Sequence, residues 1–490
     1  MPALGVPLPW AVLIAAYYLL LVSAGGRLLL EPVPLGLVFN SMATNLLQGR
    51  LDVDPAAIGI EAFVRDGRTY AYFGIFPALL RLPLLPVLDL ATIDVSRISV
   101  AVALTIGALA SARAVTVALR ALPPGPFHDA IRDRLVLVSL LSGPPILLAF
   151  QVAVYEEAIA WSWAMASLFI ASALRALTTD RGFGTGTLAA MAVAAGVCLL
   201  TRPSTALGLY VTLALMMLWL MTRRDGDDGP PWRRFFRRLS EARIVVPTLI
   251  ALLFVSAAAG VNWARWGNPF VVADMRAYVH FLEAFPERIA RLETYGMFSL
   301  QRIPYGVAYY FVPVWMLRSG GEYPLKPRIV ELFDSYELPA ASLLISDALT
   351  LTLAIVGVGA LLRGRTGSIP RPGAAALVAG LCISPALMLM AWYMAFRYRA
   401  EFAPVLTTLA CFGATSWILR AGGWTTRKRG AVQGLVIALF IVQIVSAHVF
   451  GLTSGLLPRG IGLHHMTDGI GEVYWRCLIL GCSPAGEGSE

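Results

Sequence analysis

The chain has 490 residues, is 58% hydrophobic and 14% charged, and has a mean hydropathy of +0.70. A soluble domain of that length could not enclose so much apolar surface, so the composition points to an integral membrane protein. The net charge of +9 rests almost wholly on arginine, with Lys326 and Lys428 the two lysines, and in so apolar a chain nucleic acid is not an expected partner.

A spanning helix needs about 20 mostly apolar residues. Eleven stretches fit that description: 10–30, 97–119, 135–151, 158–175, 185–201, 204–222, 244–262, 341–362, 373–395, 402–419 and 431–452. The expected class is therefore an all-α integral membrane protein with about 11 transmembrane helices and a large first external loop carrying interfacial helices. The apolar stretch 71–91 is read as interfacial or re-entrant, because Pro77, Pro83, Pro86 and Arg81 interrupt it. No Lys or Arg precedes Arg27, so residues 1–26 lack the basic start of a signal peptide and are read as part of the first span.

The loops 120–134, 175–183, 223–243, 363–371 and 420–429 hold nineteen basic and seven acidic residues, whereas the much longer remainder holds twenty and twenty-three. Short basic loops stay cytoplasmic. The N-terminus is then expected inside, the C-terminus outside, in a bacterial inner membrane. Four regions follow: a membrane module over 1–262 with an external acidic loop at 31–96, an external aromatic-rich segment at 263–340, membrane helices over 341–452, and an external tail at 453–490.

The external side carries the chemistry. The first loop holds Asp52, Asp54 and Glu61, and "VAVYEEAIAW" places Glu156 and Glu157 at the start of a span on the same side. A carboxylate there can take a proton from an acceptor hydroxyl or amine. The competing reading is solvated acids paired with Arg50, Arg65 and Arg68. "LLTRPST" contributes Arg202, and "FRYRAEF" contributes Arg397 and Arg399 with Tyr398 and Glu401 beside them as support. The arginine fork suits a lipid phosphate; snorkelling to headgroups is the bland alternative. The five histidines show no zinc spacing, so no metal residues are assigned, and the need for a divalent ion is left open. Cys477 and Cys482, in "CLILGC", would close a small disulfide loop in an oxidising compartment. No Walker A loop, Rossmann fingerprint or G-x-S-x-G is present.

The phrases "FNSMATNLLQGRLDVD", "YFGIFPALLRLP", "VYEEAIAW", "LLTRPS", "NWARWGNPF" and "RYRAEFAPVL" occur in that order along most of the chain. Together they resemble the GT-C membrane glycosyltransferases, in the branch of bacterial relatives of protein O-mannosyltransferases and lipid A aminoarabinose transferases. The resemblance implies inverting, single-displacement transfer of a sugar from a polyprenyl-phosphate-linked donor at the outer face, to an acceptor the sequence does not name. It implies a first-loop carboxylate as base, with Glu156 or Glu157 matching the second acidic turn. Arg202 and Arg399 match the phosphate-binding arginines. The chain departs from the family near Leu35 and Gly36, where many members carry an Asp-Glu pair; the nearest acids are Glu31, Asp52 and Asp54. Two other readings stay open: a transporter or flippase of lipid-linked glycans, and a non-catalytic GT-C-like protein that binds polyprenyl phosphate.

Overall fold

A computed structural model describes residues 7–150, 152–179, 183–223, 230–312, 326–336 and 342–455. Cys477, Cys482 and the tail therefore lie outside the described residues. The protein is an all-α polytopic bundle. Seven helices are long and apolar enough to cross a membrane: Ser96–Leu119, Pro126–Phe150 (broken near Ser142), Val154–Thr178, Pro203–Thr222, Ala242–Trp266, Arg371–Met390 and Thr426–Phe450. The other expected spans are present as the shorter apolar helices Leu8–Val22, Thr185–Leu199 and Ala348–Leu362, and as Ala403–Ala421.

Several ends differ from expectation for local reasons. The first helix stops at Val22 rather than near residue 30, because Gly25 and Gly26 take positive φ and the Ser23 hydroxyl accepts the Gly26 N–H at 2.9 Å. The expected span 373–395 ends as helix at Met390. Its last residues are instead extended: Trp392 N–H donates to the Met297 carbonyl, and Tyr393–Met394 pairs in parallel with Ser335–Tyr336.

Small residues let the helices approach closely, as expected where both partners sit in lipid. Gly357 and Gly413 face each other across the 348–362 and 403–421 helices; a Cβ on either would run into a backbone carbonyl of the other helix. Gly107 likewise leaves room for the Trp163 ring. The Val154–Thr178 helix is enclosed over nearly its whole length, whereas Ala242–Trp266 shows Leu249, Leu252 and Leu253 on an open face. Such a face suits acyl chains.

The stretch 71–91 does not span. It forms the short turns Phe76–Leu79 and Leu82–Leu84 and packs on the bundle end, where Phe76 N–H donates to the Leu200 carbonyl at 3.0 Å. Beyond Trp266, the chain runs through short pieces, among them Glu287–Tyr295 and Ile303–Phe311. Parts of the first loop, the 152–157 turn, the 200–202 turn, the 265–302 segment and 391–401 meet at one end of the bundle. The basic loops meet at the other, where Phe127 packs on Trp424 and Phe183 on Trp219.

Candidate functional site

The non-basic end is built around tyrosines. Glu61 closes a 3-10 turn, Gly59–Glu61, directly after the Pro55–Ile58 helix, and its Oε2 accepts the Tyr278 hydroxyl at 2.5 Å. Tyr155 stands near the same carboxylate. Phe63, two residues on, stacks on Tyr278 with centroids 4.7 Å apart and bridges to it through the backbone, which pins the chain around residue 278 to the first loop. Burial, followed by Tyr398 and Glu61, pushes the Tyr72 phenol far above its usual range, with Arg397 and Arg202 close enough to oppose the shift. Burial and then Glu61 do the same to Tyr278. Both phenols stay protonated, and Tyr278 therefore remains a donor to the carboxylate.

Arg397 joins the same tyrosines. Its guanidinium lies 4.6 Å from the centroid of Tyr155 and 5.6 Å from those of Tyr393 and Tyr398. Its Nη1 is 4.0 Å from Glu156 Oε1. Arg202, at the N-cap of Pro203–Thr222, lies 4.8 Å from the Tyr398 centroid on that ring's side of the cluster. Burial works against its charge, but Glu401 and Tyr398 outweigh it and hold the guanidinium above its ordinary value. Glu61, Glu156, Arg202, Arg397 and Tyr398 thus gather around Tyr72, Tyr155 and Tyr278.

The other expected site residues are turned to other partners. Glu157 is enclosed and meets Arg81 through both oxygens, Nη1–Oε1 at 2.7 Å and Nη2–Oε2 at 2.9 Å. Arg399 is enclosed against Ser346 and Asp347, its Nη2 standing 3.3 Å from Asp347 Oδ2. Glu401 accepts Arg202 Nε and the hydroxyls of Ser204 (3.3 Å), Thr205 (2.5 Å) and Ser384, which makes it a clamp for the 200–205 turn. Asp54 is exposed and caps the Pro55–Ile58 helix by accepting Ala56 N–H at 2.9 Å. Asp52 pairs with Arg50 at 3.4 Å.

Tyr72, Tyr155, Tyr278 and Tyr393 were not singled out from the sequence, and neither was Arg81 as a partner for a site acid. Tyrosine near a membrane interface is ordinary, so their positions carried no signal of their own. Among the described residues, no three His, Cys, Asp or Glu side chains converge as a metal site would need.

No protein-family model matches the chain, and no curated protein does. Solved structures of an archaeal enzyme align over most of the chain. The oligosaccharyltransferase AglB from Archaeoglobus fulgidus, in complex with an inhibitory peptide and a dolichol-phosphate, aligns with a TM-score of 0.43 at 13% identity, over 90% of this chain and 55% of that one. The apo form of the Archaeoglobus fulgidus oligosaccharyltransferase aligns with a TM-score of 0.47 at 13% identity, over 90% and 56%. The form tethered to an acceptor peptide containing the NVT sequon gives 0.44, also at 13%, over 90% and 55%. The chain spans about 55% of the length of that enzyme. A likeness of this size assigns no role to any residue here.

Proposed function

We propose that the protein is a GT-C type membrane glycosyltransferase that uses a polyprenyl-phosphate-linked sugar at the outer face of a bacterial cytoplasmic membrane. The observation that supports this is the convergence of one loop carboxylate, Glu61, and two arginines, Arg202 and Arg397, on a tyrosine-lined patch at the end of a membrane bundle. The acids and arginines come from separate segments, which is how a two-substrate site is assembled.

In the proposed reaction, Glu61 takes the proton of an acceptor hydroxyl or amine. The acceptor atom attacks the anomeric carbon from the face opposite the leaving group. The carbon–oxygen bond to phosphate breaks, and polyprenyl phosphate leaves carrying the electron pair. Arg397 neutralises that charge, with Arg202 behind Tyr398 adding to the positive field. Tyr278 aims Glu61, and the tyrosine faces suit the apolar face of a sugar ring.

The test is native mass spectrometry of purified protein with polyprenyl phosphate, bare and sugar-linked, followed by a transfer assay with the ligands that bind. Retention by wild type, loss in R397A, and retention without transfer in E61Q would uphold the reading. If no polyprenyl phosphate is retained under any condition, the reading falls and transport of another solute takes its place. If lipid is retained and E61Q leaves transfer unaffected, Glu61 is not the base. Retained lipid with no transfer by wild type would favour the non-catalytic lipid-binding reading.

A further inference from the structure

The opposite end of the bundle carries a second feature, independent of the sugar-transfer reading. The segment "PWRRFFRRL" folds as the helix Pro231–Leu239, joined to the long Ala242–Trp266 helix by only two residues. At about 100° per residue, Trp232, Phe235, Phe236 and Leu239 fall on one face, with Arg233, Arg237 and Arg238 on the other. Trp232, Phe236 and Leu239 are exposed, although an apolar triad on a water-facing helix would be costly. Arg233 and Arg237 are exposed as well, and the Arg233 guanidinium lies 5.2 Å from the Trp232 ring centroid.

The helix is not loosely attached. Arg238 is buried and donates to the carbonyls of Leu220 at 2.6 Å and Arg223 at 2.9 Å, so it closes the end of Pro203–Thr222 and sets the helix's rotation. Phe235 packs inward. The height of the helix follows from its neighbour. A 25-residue helix, Ala242–Trp266, is about 37 Å long against a hydrocarbon core of about 30 Å, so Ala242 and the preceding turn reach the headgroup layer. The open apolar face of Ala242–Trp266 begins within a few residues, at Val245 and Leu249, in continuity with Leu239.

We infer that Pro231–Leu239 lies in the headgroup layer of the leaflet opposite the candidate site, with Trp232, Phe236 and Leu239 seated at the acyl boundary and Arg233 and Arg237 holding the phosphates of anionic phospholipids. Amphipathic basic helices bind membrane surfaces through these two terms together. The position of the helix also gives the bundle a contact with leaflet charge at the end remote from the candidate site.

The full-length protein is reconstituted in nanodiscs of phosphatidylcholine with and without phosphatidylglycerol, released into the gas phase, and its retained lipids counted. Wild type is expected to retain phosphatidylglycerol over phosphatidylcholine on the order of tenfold, R233E/R237E to lose that preference, and R233K/R237K to keep most of it. A preference that persists in R233E/R237E, or is absent from wild type, overturns the inference. So does a wild-type dimer that dissociates in W232S/F236S, because the apolar face would then be covered by a second copy of the chain. Elution of each variant at the wild-type volume on size exclusion separates loss of lipid from loss of fold.

Discussion

Arg81 and Glu157 form a two-pronged ion pair that is closed to solvent on all sides, although 76 residues separate them. The same guanidinium donates to Asn40 Oδ1 at 2.6 Å, the Pro77 carbonyl at 3.0 Å and Ser96 Oγ at 3.1 Å. Five polar contacts around one arginine tie the long first loop to the starts of two spans. Breaking such a pair leaves a buried charge alone, at a cost of about 3–5 kcal/mol, whereas replacing both partners by apolar groups is often close to neutral. E157Q and R81M are each expected to lower the thermal midpoint sharply in detergent, and R81M/E157L to recover most of the loss. If E157Q abolishes transfer at an unchanged midpoint, Glu157 acts chemically and its structural assignment is wrong.

For Glu61, the expected loss in E61Q is about 10²–10⁴-fold in turnover, the range a general base supplies, with donor retention unchanged. Y278F removes one donor to the carboxylate and should cost less, about tenfold. Equal losses in E61Q and Y278F would mean that the hydrogen bond, rather than the base, is what matters.

Arg397 is held by ring faces as well as by charge, so lysine should not substitute for it. R397K and R397A are both expected to weaken retention of polyprenyl phosphate, by about ten- to a hundredfold. Full retention by R397K would show that a point charge suffices and that the stacked fork has no role.

The glycine contacts in the bundle give a test that concerns stability alone. G413A forces a methyl group against the Leu353 carbonyl, and overpacking of this kind costs about 1–3 kcal/mol. G186A, where nothing lies within 4 Å, serves as the control and is expected to leave the midpoint unchanged or slightly raised. Equal midpoints for the two variants would show that the 348–362 and 403–421 helices can part without penalty.

His280 lies in the segment after Trp266, between Tyr278 and Phe285, and its Nδ1 is buried with no hydrogen-bond partner. Burial and Arg288 lower its pKa from the ordinary 6.5, with Glu61 partly opposing them. A depressed histidine pKa means that the unfolded chain takes up the proton first. Its contribution to stability is therefore present above about pH 6.5 and lost as pH falls through the folded value. Thermal midpoints measured from pH 7.5 down to 5.5 should drop more steeply for wild type than for H280Q. Parallel curves would remove His280 as the source.

The spans were legible in the sequence because 20 apolar residues in a row have few alternatives to crossing a bilayer. Their ends were less so. Gly25 and Gly26 stop the first helix through backbone conformation, and residues 391–394 leave helix to pair with strands that arrive from elsewhere in the chain. The site was half legible. Its acids and arginines could be named from their place on one side of the membrane, but which of two neighbours faces the cluster could not. Arg397 turns to the tyrosines while Arg399 turns to Asp347, and that choice depends on packing against helices far away in sequence. Tyr278 lies 217 residues from the carboxylate it serves, a separation that no local pattern reports.

Tyr155, Glu156 and Glu157 occupy the first turn of Val154–Thr178, where negative charge is favoured by the helix dipole. They point three ways: Tyr155 to Glu61, Glu156 towards Arg397, and Glu157 to Arg81. The turn therefore works as an indexing wheel with three spokes about 100° apart. One spoke stands beside the first-loop carboxylate, one sets the field near the arginine, and one locks the loop. A single residue inserted ahead of Tyr155 would advance every spoke by one place and disturb all three together. The site can thus vary by substitution around the rim, but not by a change in the length of the turn that carries it.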